Sequence, residues 1–132
     1  MFNKGQIQGV LLSIAKPEIH VSRAGNTNIG YRVRIRVNIR GSEDFLLGVQ
    51  RTLNQHNIES TYKDKEHKSR PRPILSISGI VNLWKLCGII PDDVPDSKNV
   101  WKDFREIIDI IDNGEHHTLE GLDRILQLKG EI

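Results

Sequence analysis

The segment Tyr31–Arg40, with the sequence YRVRIRVNIR, determines the fold class predicted for this chain. Apolar and polar residues alternate strictly along it, and successive side chains of a β-strand point to opposite faces. One face would carry Tyr31, Val33, Ile35, Val37 and Ile39. The other would carry Arg32, Arg34, Arg36, Asn38 and Arg40. A helix of 3.6-residue period would scatter the arginines around its circumference, so the segment is predicted to be a strand.

The segments around this strand alternate between helical and extended patterns. The apolar run from Ile7 to Ala15 predicts a helix, which Pro17 ends near Ala15 or Lys16 because proline disfavours helical conformation in the residue before it. Residues 18–23 are predicted to be a strand and residues 24–28 a turn. Ser42 is a candidate N-cap for a helix over residues 43–55. The buried stripe expected for that helix is Phe45, Leu46, Val49 and Leu53.

The second half of the chain is predicted to form another pair of strands, followed by helices. Residues 58–63 and 74–78 are predicted strands, joined by a charged loop over residues 64–73. A short helix is expected over residues 81–87, and another over residues 98–112. Gly114 ends the second of these, and its expected buried residues are Trp101, Phe104, Ile107, Ile108 and Ile111. A last helix starts at Thr118, with Leu119, Leu122, Ile125 and Leu126 expected to be buried.

This order of elements predicts the fold class. Helix, hairpin, helix, hairpin and further helices form an α+β domain, in which an antiparallel four-stranded sheet has its helices on one face. Neither an internal repeat nor a linker divides the sequence, so residues 1–132 are predicted to be a single domain. No apolar run approaches the roughly 20 residues that cross a bilayer, and no membrane partner is expected. The lone Cys87 excludes an internal disulfide, which favours an intracellular location: the cytoplasm, the nucleoid or an organelle matrix.

Charge is segregated along the chain. The overall net charge is +2, but residues 1–90 carry +8 and residues 91–132 carry −6. If helices cover the apolar face of the strand at 31–40, its arginine face stays open. Residues on one face of a strand repeat about every 6.6 Å, which lets successive guanidinium groups reach successive phosphates or base edges. A merely solvated strand face would mix Lys, Thr and Glu, whereas this one has no acid, so the pattern indicates nucleic-acid binding.

Several stretches, taken in order, resemble the LAGLIDADG homing endonuclease family. They are AKPEIHVS (15–22), IGY (29–31), DFLL (44–47), YKDK (62–65), PILSIS (73–78) and the ending from Ile107 to Gly121. The resemblance implies a saddle-like sheet that lies in the DNA major groove. One copy of the motif implies a homodimer, joined through the motif helix by Gly9, Leu12 and Ser13. The DNA-binding residues expected from the strand and the loops are Arg23, Arg32, Arg34, Arg36, Asn38, Arg40, Lys63, Lys65, Lys68, Arg70 and Arg72.

The motif departs from the family at its acid. In the family, a carboxylate near the end of the motif helix binds the metal ions that activate water. Matching residues 15–22 to the motif puts Lys16 at the acid, and matching Gly9 to the internal glycine puts Ile14 there. Glu18 could supply a displaced metal ligand and catalytic group. Lys98 matches the place of a basic residue near the scissile phosphates.

Three functions remain open on the sequence alone. The first is a homodimeric DNA-binding protein that has lost or weakened its nuclease activity and needs no cofactor. The second is an active homing endonuclease that uses Mg²⁺ held by Glu18. The third is a maturase-like protein that binds structured RNA. The missing acid favours the first over the second, and a strand suited to a major groove favours both over the third.

Overall fold

The computed structural model describes residues 2–91 and 100–131. Within them the chain forms α1 (Lys4–Ser13), β1 (Lys16–Arg23), β2 (Tyr31–Arg40), α2 (Glu43–Gln55), β3 (Thr61–Lys63), β4 (Ile74–Ser78), α3 (Ile80–Ile89), α4 (Val100–Asp112) and α5 (Leu119–Glu131). The strands form one sheet in the order β1-β2-β4-β3, and β4 pairs antiparallel with both β2 and β3. The predicted α+β class and the order of elements are confirmed. None of the described helices is long and apolar enough to span a bilayer.

The chain divides into two compact units. The first comprises Met1–Lys16 and Arg36–Pro91, and the second comprises Pro17–Ile35 and Asp92–Ile132. Strand β2 runs through both, since its first five residues belong to the second unit and its last five to the first.

The core of the first unit lies between α2 and one face of the sheet. Val37 and Ile39 pair with Ile77 and Leu75, and all four side chains are fully buried. Helix α2 begins at the predicted cap, where the backbone N–H of Phe45 donates to Ser42 Oγ at 3.4 Å. Of the stripe predicted for α2, Leu46, Val49 and Leu53 are fully buried and Phe45 is half-buried. The alternation of β2 and the helical period of α2 thus meet in one apolar layer.

Helix α1 starts earlier and ends earlier than predicted. Asn3 and Gln6 form a capping box, in which each side chain accepts a hydrogen bond from the other residue's backbone N–H at 2.9 Å. This box starts the helix at Lys4. The helix ends at Ser13 with Ile14 as its C-cap, rather than at Ala15 or Lys16. The reason is that Lys16 already belongs to β1, so the chain leaves the helix before the proline constraint applies.

The core of the second unit is built on α4 and α5, and two predicted stripes need correction. Helix α4 buries Ile110 while Ile111 is only half-buried, because packing against α5 and the 3-10 turn Glu115–His117, and not the helical period alone, sets its buried side. Helix α5 exposes Leu119 and Leu126, which were predicted to be buried. Its buried stripe follows the spacing i, i+3, i+6 and consists of Leu122, Ile125 and Leu128.

The connection between these helices depends on two glycines and a cap. Gly114 adopts the left-handed conformation at φ 74°, which glycine tolerates without a steric penalty and which ends α4 as predicted. The Gly121 N–H donates to Thr118 Oγ1 at 3.0 Å, so Thr118 is the predicted N-cap of α5. A Cβ on Gly121 would overlap the carbonyl oxygen of Glu115, so only glycine fits this approach.

Two leucines of α5 give a matched test of this packing. Leu122 is 4% exposed and Leu119 is 65% exposed. Leu122→Ala should lower the free energy of unfolding by about 2–5 kcal/mol, because it leaves a cavity in the core. Leu119→Ala should change it by less than about 0.5 kcal/mol. Chemical denaturation followed by circular dichroism measures both, and equal losses for the two variants would contradict the assigned buried face.

Candidate nucleic-acid interface

The last five residues of β2 present their polar side chains on the face opposite the core of the first unit. Arg36, Asn38 and Arg40 alternate with the fully buried Val37 and Ile39. The Arg36 side chain is exposed, and Arg40 is half-buried. Directly paired residues of neighbouring antiparallel strands share a face. The register therefore defines which residues of β3 and β4 lie beside these arginines.

Three rows of paired residues cross this face, and all of them are polar except the buried Ile74. Arg36 pairs with Ser78, while Asn38 pairs with Ser76, which in turn pairs with Thr61. Arg40 pairs with Ile74, which in turn pairs with the exposed Lys63. The hydroxyl groups of Thr61, Ser76 and Ser78 were not among the predicted site residues, although hydroxyls are competent hydrogen-bonding partners for bases. The alternation of the sequence ILSIS at 74–78 carried the signal for the two serines.

Asn38 differs from the open side chain that the alternation predicted. It is only 4% exposed. The hydroxyl of Ser76 donates to Asn38 Oδ1 at 2.6 Å across the β2–β4 pair. The amide is thus held by the neighbouring strand, which the sequence of β2 alone could not indicate.

The first half of β2 and the hairpin turn belong to the second unit. Arg34 is exposed there, and so is Arg23 at the end of β1. Arg32 is half-buried, and its Nη2 donates to Asn26 Oδ1 in the turn at 3.3 Å. On the opposite face Tyr31 is 38% exposed and Val33 and Ile35 are half-buried. The predicted apolar face is therefore fully buried only in the second half of the strand.

The loop between β3 and β4 is held in shape by its own hydrogen bonds. Glu66 N–H donates to the carbonyl of Arg72 at 2.9 Å, and His67 and Arg70 form a β-bridge. Ser69 Oγ lies 2.6 Å from His67 Nδ1. These contacts make the charged segment a small hairpin. The hairpin displays the exposed side chains of Lys65, Lys68, Arg70 and Arg72.

An ion pair joins this loop to β2. Arg40 donates from Nε to Glu66 Oε1 at 2.7 Å and from Nη2 to Glu66 Oε2 at 3.1 Å. The hydrogen bond from Arg40 is the largest cause of a Glu66 pKa below its ordinary value. The pair borders a cavity of about 450 Å³, which Arg70 and Arg72 also line. Sequence reasoning did not include Glu66, because an acid within a basic loop gives no signal of its partner.

The predicted dimer-contact residues all lie on the exposed side of α1. Gly9, Leu12 and Ser13 are exposed, and Leu12 is 40% exposed despite being apolar. A Cβ placed on Gly9 would meet no atom within 4 Å. The hydroxyl of Ser13 donates a hydrogen bond to the carbonyl of Gly9 at 2.6 Å.

The end of α1 offers no carboxylate. Ile14 is the C-cap and is 39% exposed, and Lys16 is exposed at the first position of β1. Glu18 is half-buried in β1 and lies 3.8 Å from His20 Nε2. The predicted basic residue Lys98 lies outside the described residues.

A divalent cation does not fit the side chains at the helix end. An apolar side chain has no ligand atom, and an ammonium group repels Mg²⁺, which prefers oxygen ligands. Among residues 2–91 and 100–131, no three His, Cys, Asp or Glu side chains come together as a metal site. Glu18 is the nearest carboxylate along the chain, but it lies two residues into the strand.

The order of helices and strands and the strand order of the sheet are those of the LAGLIDADG homing endonuclease fold. No protein-family model matches the sequence, and no curated protein matches it. Among solved structures, the homing endonuclease I-TnaI is 23% identical with a TM-score of 0.84, over 99% of this chain and 88% of that one. The archaeal intron-encoded homing endonuclease I-Vdi141I, solved with DNA, is 21% identical with a TM-score of 0.80, over 97% of this chain and 80% of that one.

A second kind of match is to longer chains. The LAGLIDADG homing endonuclease I-LtrWI, solved bound to target DNA, is 17% identical with a TM-score of 0.82. The match covers 99% of this chain and 44% of that one, so the chain spans less than half of the I-LtrWI chain. The resemblance read from the sequence is thus confirmed at the level of the fold.

Proposed function

We propose that the chain binds double-stranded DNA as a homodimer, and that its nuclease activity is lost or weakened. The observation that carries the proposal is the polar face of β2, where arginines alternate with the buried core residues of a fold whose solved examples include DNA complexes. Guanidinium groups spaced at every second strand residue match the phosphates and guanine edges of a major groove.

The choice of DNA over RNA follows from groove geometry. The major groove of B-form DNA is about 12 Å wide and admits a two-stranded ribbon, whereas that of A-form RNA is deep and narrow. A rigid strand carrying arginines in a row suits the wider groove. If structured RNA binds more tightly than any DNA duplex, the chain is instead a maturase-like RNA-binding protein.

Replacing single arginines of β2 tests DNA binding. A target duplex is first selected from a randomised library with the unmodified chain. Arg34→Ala or Arg36→Ala should then weaken binding by about 1–3 kcal/mol and relax the base preference at one position, if the side chain reads a guanine. Arg51→Ala, at an exposed position on α2, is the control and should change affinity little.

Salt dependence provides an independent check on the same binding. The logarithm of affinity should fall steeply with the logarithm of salt concentration, because several phosphates are neutralised and their counterions released. Duplex binding that is absent, or insensitive to salt, would refute the role of the basic face.

The homodimer rests on α1. One copy of the motif is present, and the exposed side of the helix carries the small residues Gly9 and Ser13 beside the apolar Leu12. Small residues let two helices approach closely. The same contact would repeat the basic face on both halves of a pseudo-palindromic site.

Light scattering on the chain with its selected duplex should show two copies of the 15.1 kDa chain. Leu12→Glu should give a monomer, because two carboxylates would meet at the axis of a symmetric contact. Leu126→Glu places the same change at a similarly exposed leucine of α5 and should leave the dimer intact. If the unmodified chain stays monomeric on its selected duplex, the proposed homodimer is contradicted.

The loss of cleavage rests on the side chains at the end of α1. Ile14 is the helix C-cap and Lys16 is the first residue of the strand, so neither matching of the motif supplies a carboxylate. Losing a metal ligand removes several kcal/mol of charge stabilisation, and each increment of about 1.36 kcal/mol is tenfold in rate. Metal-dependent cleavage should therefore be absent or very slow.

A cleavage assay on the selected duplex with Mg²⁺ or Mn²⁺ checks this expectation. Ile14→Asp and Lys16→Asp each restore an acid at one of the two matched positions, and a gain of cleavage identifies which position lost it. Glu18→Gln tests the alternative of an active enzyme. Strong cleavage by the unmodified chain that disappears in Glu18→Gln would assign both the metal and the catalytic role to Glu18.

A further inference from the structure

We propose that Glu66 is a positioning residue for DNA recognition, which fixes the guanidinium of Arg40 and thereby makes each half-site selective for guanine at one position. This inference rests on the proposed DNA binding and deepens it. It starts from the ion pair between Arg40, at the end of β2, and Glu66, in the loop over residues 64–73, and both residues belong to the first unit.

The geometry of the pair fixes the plane of the guanidinium. Two hydrogen bonds, from Nε and Nη2, reach two different oxygens of one carboxylate. Such a two-point contact sets both the position and the rotation of a planar group, whereas a single contact would leave it free to turn. The side chains are 34% and 18% exposed, so neighbouring residues also limit their movement.

A carboxylate on this surface has an electrostatic cost for DNA binding. Phosphates repel it, and the hydrogen bond from Arg40 favours its ionised form, which lowers the pKa of Glu66. The loop also displays four exposed cations, Lys65, Lys68, Arg70 and Arg72, and one further acid, Asp64. An acid among these cations lowers the attraction for DNA of any sequence. That cost is offset if the carboxylate improves contacts that the protein makes only with its target DNA sequence.

Guanine is the base whose recognition gains most from a fixed guanidinium. Its O6 and N7 accept two hydrogen bonds in one plane, and arginine is their usual partner. A guanidinium carries five N–H donors, so one group can bind a carboxylate and a base edge together. Holding it beforehand reduces the side-chain entropy lost on binding. Arg40 lies on the same sheet face as Arg36, which places it among the predicted DNA contacts.

Glu66 also connects Arg40 to the rest of the loop. Its backbone N–H donates to the carbonyl of Arg72, whose side chain lines the same cavity as Arg40 and Arg70. A substitution at Glu66 that disturbed the backbone would therefore also shift Arg70 and Arg72. Glu66→Gln removes the charge of the side chain but keeps its size and the backbone hydrogen bond, so it tests the side chain alone.

The test compares binding to the selected duplex, to duplexes with each base pair replaced in turn, and to an unrelated duplex of the same length. In Glu66→Gln, preference for guanine at one position per half-site should fall by roughly 5- to 150-fold. Affinity for the unrelated duplex should rise, and the salt slope should steepen by about one, because a negative charge is lost and Arg40 turns to a phosphate. Asp64→Asn makes the same chemical change nearby, at an exposed acid, and should leave the preference unchanged.

A double-mutant comparison ties the effect to Arg40. In an Arg40→Ala background, Glu66→Gln should alter the base preference no further. Arg40→Lys keeps the charge but loses the planar fork, and it should lose the same preference even if Glu66→Gln fails to fold. Duplex binding with the preference intact in Glu66→Gln, or in Arg40→Lys, would overturn this inference alone. Failure of the unmodified chain to bind any duplex would overturn the proposed function together with it.

Discussion

The two-residue period of β2 is the constraint on which the rest of the first unit depends. Val37 and Ile39 enter the core beside Leu75 and Ile77, because the other face of this half of the strand carries Arg36, Asn38 and Arg40. A shift of one residue in the register would bury arginines and expose the core, so the pairing of β2 with β4 is strongly specified. The polar face is a direct consequence of that pairing. Burial of the apolar side chains and display of the charged ones are two results of a single register, and neither can change without the other.

The same register gives each residue of the polar face a different neighbour across the strands. Arg36 lies opposite a serine, and its side chain is exposed. Asn38 lies opposite Ser76, is buried and accepts a hydrogen bond from the serine hydroxyl. Arg40, near the end of the strand, meets an acid from the loop that returns to β4. Residues that alternate regularly in the sequence are therefore graded in exposure in the structure, since Arg36 is exposed, Arg40 is half-buried and Asn38 is buried. This grading fits a surface that combines general attraction for phosphates with selective contacts to bases.

Sequence patterns recovered the elements well and the partners of individual side chains poorly. The bounds of β2, α2 and β4 follow from local period and capping, which depend on neighbours along the chain. The exposure of Leu119 and Leu126 and the burial of Ile110 depend on how α4 and α5 pack, which residues far apart in the sequence decide. The Arg40–Glu66 pair spans 26 positions, so no local pattern could reveal it. The absence of an acid at Ile14 and Lys16 was visible from the residues themselves, because it concerns identity rather than arrangement.

The pairing of Arg40 with Glu66 also limits how such a protein could acquire a new target. Replacing the arginine alone leaves a carboxylate facing phosphates, and replacing the glutamate alone releases a cation that binds any backbone. Each single step passes through a less selective protein, whereas a joint replacement can move directly between two selective ones. The effects of substitutions at these two positions should therefore not add. The ion pair thus couples two positions that lie 26 residues apart in the sequence, so libraries for retargeting should vary positions 40 and 66 together.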